Sequence, residues 1–301
     1  MSILLDRIFI FLIFSDRKRA CVGNIKIPIT TIKYSSWIYL IVILAVAFLK
    51  EKDSANSLAG IVFFSFHVAL FFSGNSRSLF YLTIVFACHI ILGARIVYLA
   101  EAIIFGAGYI LTVGKGDMRK RGVVRPYSVF GAVIILTGGL LAVVWSEQIL
   151  MAFSGGDNAL TAFGMKINTA GRLFMWELVL DSWIERPILG KGMPGPEEML
   201  AHEKWSHPHN DYLRILHQTG LLGFSLWHFF ILSLVGSGLR LYQRSKKGSN
   251  ERVLGLSALL SFLGLFVSMF TDNVIVYSYV LYPAIALGSL TRGIYFNPRI
   301  Q

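Results

Sequence analysis

Apolar runs long enough to cross a bilayer recur along this chain, separated by short clusters of lysine and arginine. A helix needs roughly 20 mainly apolar residues to span the hydrocarbon core, and an unpaired backbone cannot sit there. The runs fall at about 34–49, 55–73, 78–94, 96–113, 127–145, 221–239, 253–271 and 274–291. Residues 3–14 are short for a further span. They resemble a signal-peptide core in length but lack a small-residue cleavage site, and Asp6 and Arg7 interrupt the approach. The expected fold class is all-α: a polytopic transmembrane helix bundle of about eight or nine spans.

Composition supports this. Only 15% of residues are charged and 55% are hydrophobic, whereas soluble domains carry about 25% charged residues. The net charge of +11 would suit a nucleic-acid binder, but the basic residues sit in short loops beside the runs, where the positive-inside bias places them. The expected partner is therefore the lipid bilayer, with no nucleic acid. Cys21 and Cys88, one in a basic loop and one within a span, do not suggest a disulfide.

The basic clusters also orient the chain. One holds Arg17, Lys18, Arg19, Lys26 and Lys33; a second holds Lys115, Arg119, Lys120, Arg121 and Arg125; a third holds Arg240, Arg244, Lys246, Lys247 and Arg252. With about eight spans all three fall on one side, the cytoplasmic one. The long polar interruption at 146–219 then lies on the opposite side, together with Arg95 and Asp272. Three segments follow: an N-terminal transmembrane bundle (1–145), an outer loop (146–219) and C-terminal transmembrane helices (220–301).

The outer loop has its own order. Thr169 can cap a helix starting near Gly171. Leu173, Trp176, Leu180 and Trp183 would share one face of it, and Glu177, Asp181 and Glu185 another, until Pro187 ends it. Gly190 to Gly195 reads as a turn. Asn210 or Asp211 can start a short helix through Gln218, and Gly220 leads into the next span.

Several residues in and beside this loop can carry chemistry. Arg172 stands at the positive end of its helix dipole; it is either a bidentate grip on phosphate or a solvated loop arginine. His209 is either a surface histidine or a general base, oriented by Asn210 or Asp211. His207 and His209 suggest a metal pair, but no third ligand is evident, since His202 and Glu203 are only loosely placed, and no metal is expected. Arg95, in Leu92-Gly93-Ala94-Arg95, runs against the positive-inside trend, so it either pairs with an anion or snorkels to headgroups. Arg77 falls on the inner side in this topology. Asp272, between the last two spans, either pairs with an arginine or caps its turn. Glu101, within a span, needs a partner or a proton, and Arg95 is near in sequence. His67 and His89 read as packed interior groups.

The order Gly171-Arg172…Trp176…Arg186-Pro187-Ile188-Leu189-Gly190-Lys191-Gly192, then His207-Pro208-His209-Asn210-Asp211-Tyr212-Leu213 and Gly220-Leu221-Leu222-Gly223, between two spans, resembles the O-antigen ligase/polymerase family of bacterial membrane glycosyltransferases. The likeness covers about residues 75–291. It implies an inner-membrane, multi-pass enzyme with its site facing the periplasm. It implies transfer of a glycan from undecaprenyl pyrophosphate to an acceptor such as lipid A core, by inversion and without metal or other cofactor. It also implies roles: Arg172 and His209 match the family's loop arginine and histidine, and Arg95 the arginine opening the span before the basic loop. Arg77 has the commoner Ser-Arg form and is the alternative to Arg95. Asp272 matches an acidic residue between the last spans. The catalytic set is then His209, Arg172 and Arg95, with Arg186, His207, Asn210, Asp272 and Arg77 as substrate-binding residues. A growing-chain polymerase, and a non-catalytic assembly or transport subunit, are the alternatives. Family members carry more spans than the runs counted here.

Overall fold

Where the structure describes them, the apolar runs fold mainly as helices. The computed structural model describes residues 26–48, 54–92, 95–113, 159–162, 165–168, 172–193, 195–202, 207–270 and 272–296. Helices α1 (Lys26–Phe48), α2 (Ser54–Phe72), α3 (Arg77–Ile91) and α4 (Arg95–Val113) cover the first four runs. Two short strands follow, β1 (Ala159–Ala162) and β2 (Met165–Asn168), then α5 (Arg172–Ile184), α6 (Pro196–His202), α7 (Asp211–Arg244), α8 (Asn250–Met269) and α9 (Ser278–Phe296). The expected span at 127–145 and the segment 3–14 lie outside the described residues. Among the described helices, α7 and α8 are long and apolar enough to cross a membrane; α1 to α4 contain shorter apolar helical stretches.

The chain divides into two compact units. The first comprises residues 1–122, 229–269 and 274–301; the second comprises 123–228 and 270–273. In the first, α8 packs against α2, α4 and α9 and is buried on nearly all sides. Gly255 permits close approach to α7: a Cβ there would stand 2.6 Å from the Tyr242 backbone nitrogen. Small residues at helix crossings serve this purpose in membrane bundles. The outer surface is apolar, with Ile41, Phe80, Ile110 and Phe229 each more than half exposed. So much greasy surface suits lipid and would drive association in water.

Inside this unit the polar groups find each other. Tyr39 Oη lies 2.9 Å from His89 Nε2, and His89 Nδ1 lies 2.8 Å from Glu101 Oε1. Glu101 thus takes His89 as partner, where the sequence had suggested Arg95. His67 hydrogen-bonds Ser36 Oγ at 2.8 Å and stacks on Tyr81, as an interior packed group should.

Among the described residues, the second unit departs from an all-helical reading at the pair of strands. β1 and β2 pair antiparallel, Ala159 opposite Asn168 and Ala162 opposite Met165. Its apolar centre is Met175, Val179 and Leu200, flanked by Trp176, Leu178, Met199 and Leu213. The face of α5 that is most buried is therefore the Met175–Val179 stripe, rather than Leu173, Trp176, Leu180 and Trp183, which are only half-buried.

Candidate functional site

Two glycine-bearing motifs, far apart in sequence, build one backbone crossing in the second unit. Gly220 breaks α7 with φ +63° and ψ −171°, separating 211–219 from 221–244. The break would orphan the backbone N–H groups that follow it. Instead, Leu221 N–H donates to Pro187 O at 2.9 Å and Leu222 N–H to Ile188 O at 3.1 Å. In return Lys191 N–H donates to His217 O at 2.8 Å and Gly192 N–H to Gln218 O at 2.9 Å. The strands run so close that a Cβ on Gly220 would stand 2.2 Å from Ile188 O, and one on Gly190 2.5 Å from Gly220 N. Both glycines also have positive φ, which side chains disfavour. The crossing fixes the end of α5 against the start of α7.

The His-Pro-His-Asn-Asp segment sits at that start. Trp176 Nε1–H donates to Pro208 O at 2.8 Å, tying the segment to α5. Asn210 is the N-cap: its Oδ1 accepts from Leu213 N–H at 3.1 Å. Asn210 is thus an architectural residue, buried at 4% exposure. Between these anchors His209 adopts φ +49°, the left-handed region, where histidine is tolerated better than most residues. This brings His209 Nδ1 to 3.3 Å from Asn273 Nδ2, 64 residues later in sequence. Asp272 Oδ1 accepts from Asn273 N–H at 2.8 Å. Asp272 therefore caps its turn, and among the described residues no arginine forms a salt bridge with it.

The electrostatics converge on His209. Burial pushes its imidazole below the usual histidine range; the Arg172 guanidinium pushes the same way, while the Asp272 carboxylate pulls upward. His207 and Arg214 add smaller downward pushes. His209 is thus neutral at pH 7 and able to accept a proton. As placed, Asn273 Nδ2 donates to Nδ1, which leaves Nε2 carrying the proton. A half-turn of that amide would exchange it for Oδ1, which is buried with no hydrogen-bond partner among the described residues. The Nδ1–H tautomer would then be held and the Nε2 lone pair freed.

His207 belongs to an ion-pair cluster that the sequence did not announce. Arg214 NH2 pairs with Glu197 Oε1 and lies 3.3 Å from His207 Nδ1; Glu197 Oε1 is 3.4 Å from the same nitrogen. Arg214 Nε is 3.8 Å from Asp211 Oδ1. Arg214 is buried, so its charge must be matched here. Arg172 is half-buried at the first position of α5, whereas Arg186 is exposed past its end. Arg95 is the first residue of α4 and Arg77 the first of α3, both in the other unit. Arg77 is exposed, and its backbone N–H donates to Asn75 Oδ1 at 3.2 Å. Among the described residues no three His, Cys, Asp or Glu side chains converge as metal ligands would. Asn273, Arg214 and Glu197 are the site's additions, whereas Trp176 already stood in the sequence motif. Only Arg214, three residues after Asp211 on a helix, left a local signal.

Comparison with known proteins reaches the same segment. A Rickettsia conorii protein, provisionally named a polysaccharide ligase, is 34% identical over 109 residues, covering 32% of this chain and 26% of its own. A Rickettsia felis protein with the same provisional name is 29% identical over 156 residues, covering 48% of this chain and 36% of its own. The chain thus spans about a quarter to a third of these curated relatives. The O-antigen ligase family profile matches residues 8–228, which include α5, the glycine crossing and the His207–Asn210 segment. With most of its length in that match, the chain belongs to the O-antigen ligase family.

Proposed function

We propose that this protein is a metal-independent, inverting glycosyltransferase of the O-antigen ligase type. It would act in the bacterial inner membrane and pass a glycan from undecaprenyl pyrophosphate to lipid A core at the periplasmic face. The observation carrying this reading is the placement of His209: half-buried in a left-handed turn with its Nδ1 3.3 Å from Asn273 Nδ2, in an environment that lowers its proton affinity. A neutral imidazole can take a hydroxyl proton near pH 7, which contributes about 10²–10⁴-fold to rate. The pyrophosphate leaving group gains negative charge as its bond to the sugar breaks. Arg172 would stabilise that charge; such stabilisation is often the largest catalytic contribution. His209 would deprotonate the acceptor hydroxyl on the face opposite the leaving group, which inverts the anomeric centre. Asp272 would steady the imidazolium that forms, and Arg186 and His207 would contact the substrates.

The test is complementation of a strain lacking surface polysaccharide, comparing wild type and His209→Ala on a glycan gel. Rescue by wild type alone, with a ladder on lipid A core, is the expected result. Longer lipid-linked chains instead would assign a polymerase. Rescue by His209→Ala would sink the general-base role.

A further inference from the structure

Away from the histidine segment, on the other side of α5, the second unit holds a cavity of about 650 Å³. Asp181, Ser182 and Glu185 line it from α5 and the turn beyond; Glu198 lines it from α6 and His217 from α7. Leu178, Met193 and Met199 add apolar wall. Lys191 is already engaged, its Nζ 2.6 Å from Glu185 Oε2, so Asp181 and Glu198 give the wall a net negative character.

His217 points to what fits there. It is 3% exposed, and its Nε2 lies 3.1 Å from Ser182 Oγ. Its Nδ1 is buried with no hydrogen-bond partner among the described residues. Burial, then Lys191, push its imidazole below the usual range, so it is neutral at pH 7. A neutral imidazole offers either a donor or an acceptor at Nδ1, according to how the Ser182 hydroxyl is turned. A ligand hydroxyl satisfies both cases. Carboxylates likewise accept from hydroxyls, and the leucine and methionines can pack on the C–H face of a sugar ring. A phosphate would meet two carboxylates that form no salt bridge among the described residues, and would be repelled.

We propose that this cavity is a subsite for a neutral, hydroxyl-rich sugar unit, with Asp181 and Glu198 as its principal acceptors and His217 as its buried anchor. In the transfer reaction above this is a sugar of the acceptor glycan remote from the hydroxyl that His209 deprotonates, kept apart from the anionic donor by the sign of the wall. The identification of the sugar as an acceptor rests on that reading; the binding of a sugar does not.

The test is a printed array of neutral, amino-sugar and phosphorylated oligosaccharides, probed with the detergent-purified full chain and no donor lipid. The wild type is expected to bind neutral oligosaccharides. Asp181→Asn and Glu198→Gln should each weaken that binding about tenfold, as losing a charged hydrogen-bond acceptor does. Glu177→Gln, an exposed carboxylate of α5 outside the cavity, should change nothing. Arg172→Ala and His209→Ala should still bind. The proposal falls if no neutral glycan binds, if only phosphorylated or amino-sugar glycans do, or if Asp181→Asn and Glu198→Gln bind as wild type. Binding needs no turnover. A chain that binds but rescues no polysaccharide therefore overturns the transfer reading alone, and one that rescues but fails on the array overturns the cavity alone.

Discussion

Arg214 should be the most destabilising single truncation in the second unit. Its guanidinium is 9% exposed and holds the Glu197 carboxylate, itself 23% exposed, with Asp211 at 3.8 Å and completely buried. The second oxygen of Glu197 is buried with no hydrogen-bond partner among the described residues, where Arg214 is the main compensation for that charge. Removing one member of a buried pair costs about 3–5 kcal/mol, because the other stays behind uncompensated. Glu197 keeps some water, which places Arg214→Leu near the low end, about 3 kcal/mol. For a chain of this length, that corresponds to a melting midpoint lower by about 6 °C. The assay is thermal unfolding in detergent across a double-mutant cycle. Glu197→Gln alone should cost less, since Arg214 keeps Asp211. Added to Arg214→Leu it should recover at least about 1.5 kcal/mol, because the stranded charge is gone. Additive losses, or an Arg214→Leu variant within about 1 kcal/mol of wild type, would refute the reasoning.

Other consequences follow from the same unit. Turnover should fall on acidification only below the usual histidine range. Arg172→Gln should move that acid limb to higher pH and Asp272→Asn to lower pH, because the two charges act on His209 with opposite sign; pH–rate profiles of residual activity read both. His209 and His217 are both lowered on folding, so the unfolded chain binds more protons and stability should decline as pH falls through the ordinary histidine range toward their folded values; melting scans between pH 8 and about 5 would show the slope, and a flat profile would contradict it. Arg172→Lys should lose most activity, since a point charge does not reproduce the guanidinium fork; wild-type turnover in a lipid-linked glycan transfer assay would remove the clamp role. Gly220→Ala should cost about 3 kcal/mol or more, from the left-handed backbone and the displaced Pro187 and Ile188 hydrogen bonds. Limited proteolysis after Lys191 would report the opening.

The helices of the first unit were legible because hydropathy, length and flanking charge all act locally. The end of α7's first segment was legible for another local reason, a glycine standing where the helix must bend. Local pattern failed where phase or partner mattered. Residues 274–277 are as apolar as the span they precede, yet they form a turn before α9 begins at Ser278. Hydropathy cannot tell an apolar turn from an apolar helix. The buried stripe of α5 was misplaced because that helix carries apolar residues on several faces, so its period was clear and its phase was not. The partner of Glu101 was misassigned to the arginine nearest in sequence, when the histidine of the preceding helix supplied it. Asn273 reaches His209 across 64 residues, and no spacing rule announces such a contact.

The division of labour between the two sequence motifs follows from the geometry. Arg186-Pro187-Ile188-Leu189-Gly190-Lys191-Gly192 looks like a functional motif because it mixes charge with glycine. Its arginine is exposed, however, and apart from the Lys191–Glu185 ion pair its contacts are made by backbone: the carbonyls of Pro187 and Ile188 accept from the N–H groups beyond Gly220, and the N–H groups of Lys191 and Gly192 donate to the carbonyls before it. The two glycine motifs are therefore one clamp seen twice. A clamp at that point serves both sides of α5. Toward the start of the helix Trp176 hydrogen-bonds Pro208, next to the left-handed turn at His209. Toward the end the clamp holds Ser182 against His217 and so keeps the acidic cavity in shape. A cationic, proton-accepting face and an anionic, hydroxyl-accepting face are thereby carried on a single short helix. Under the proposed reading, a pyrophosphate and a neutral sugar held at once would need that separation of charge.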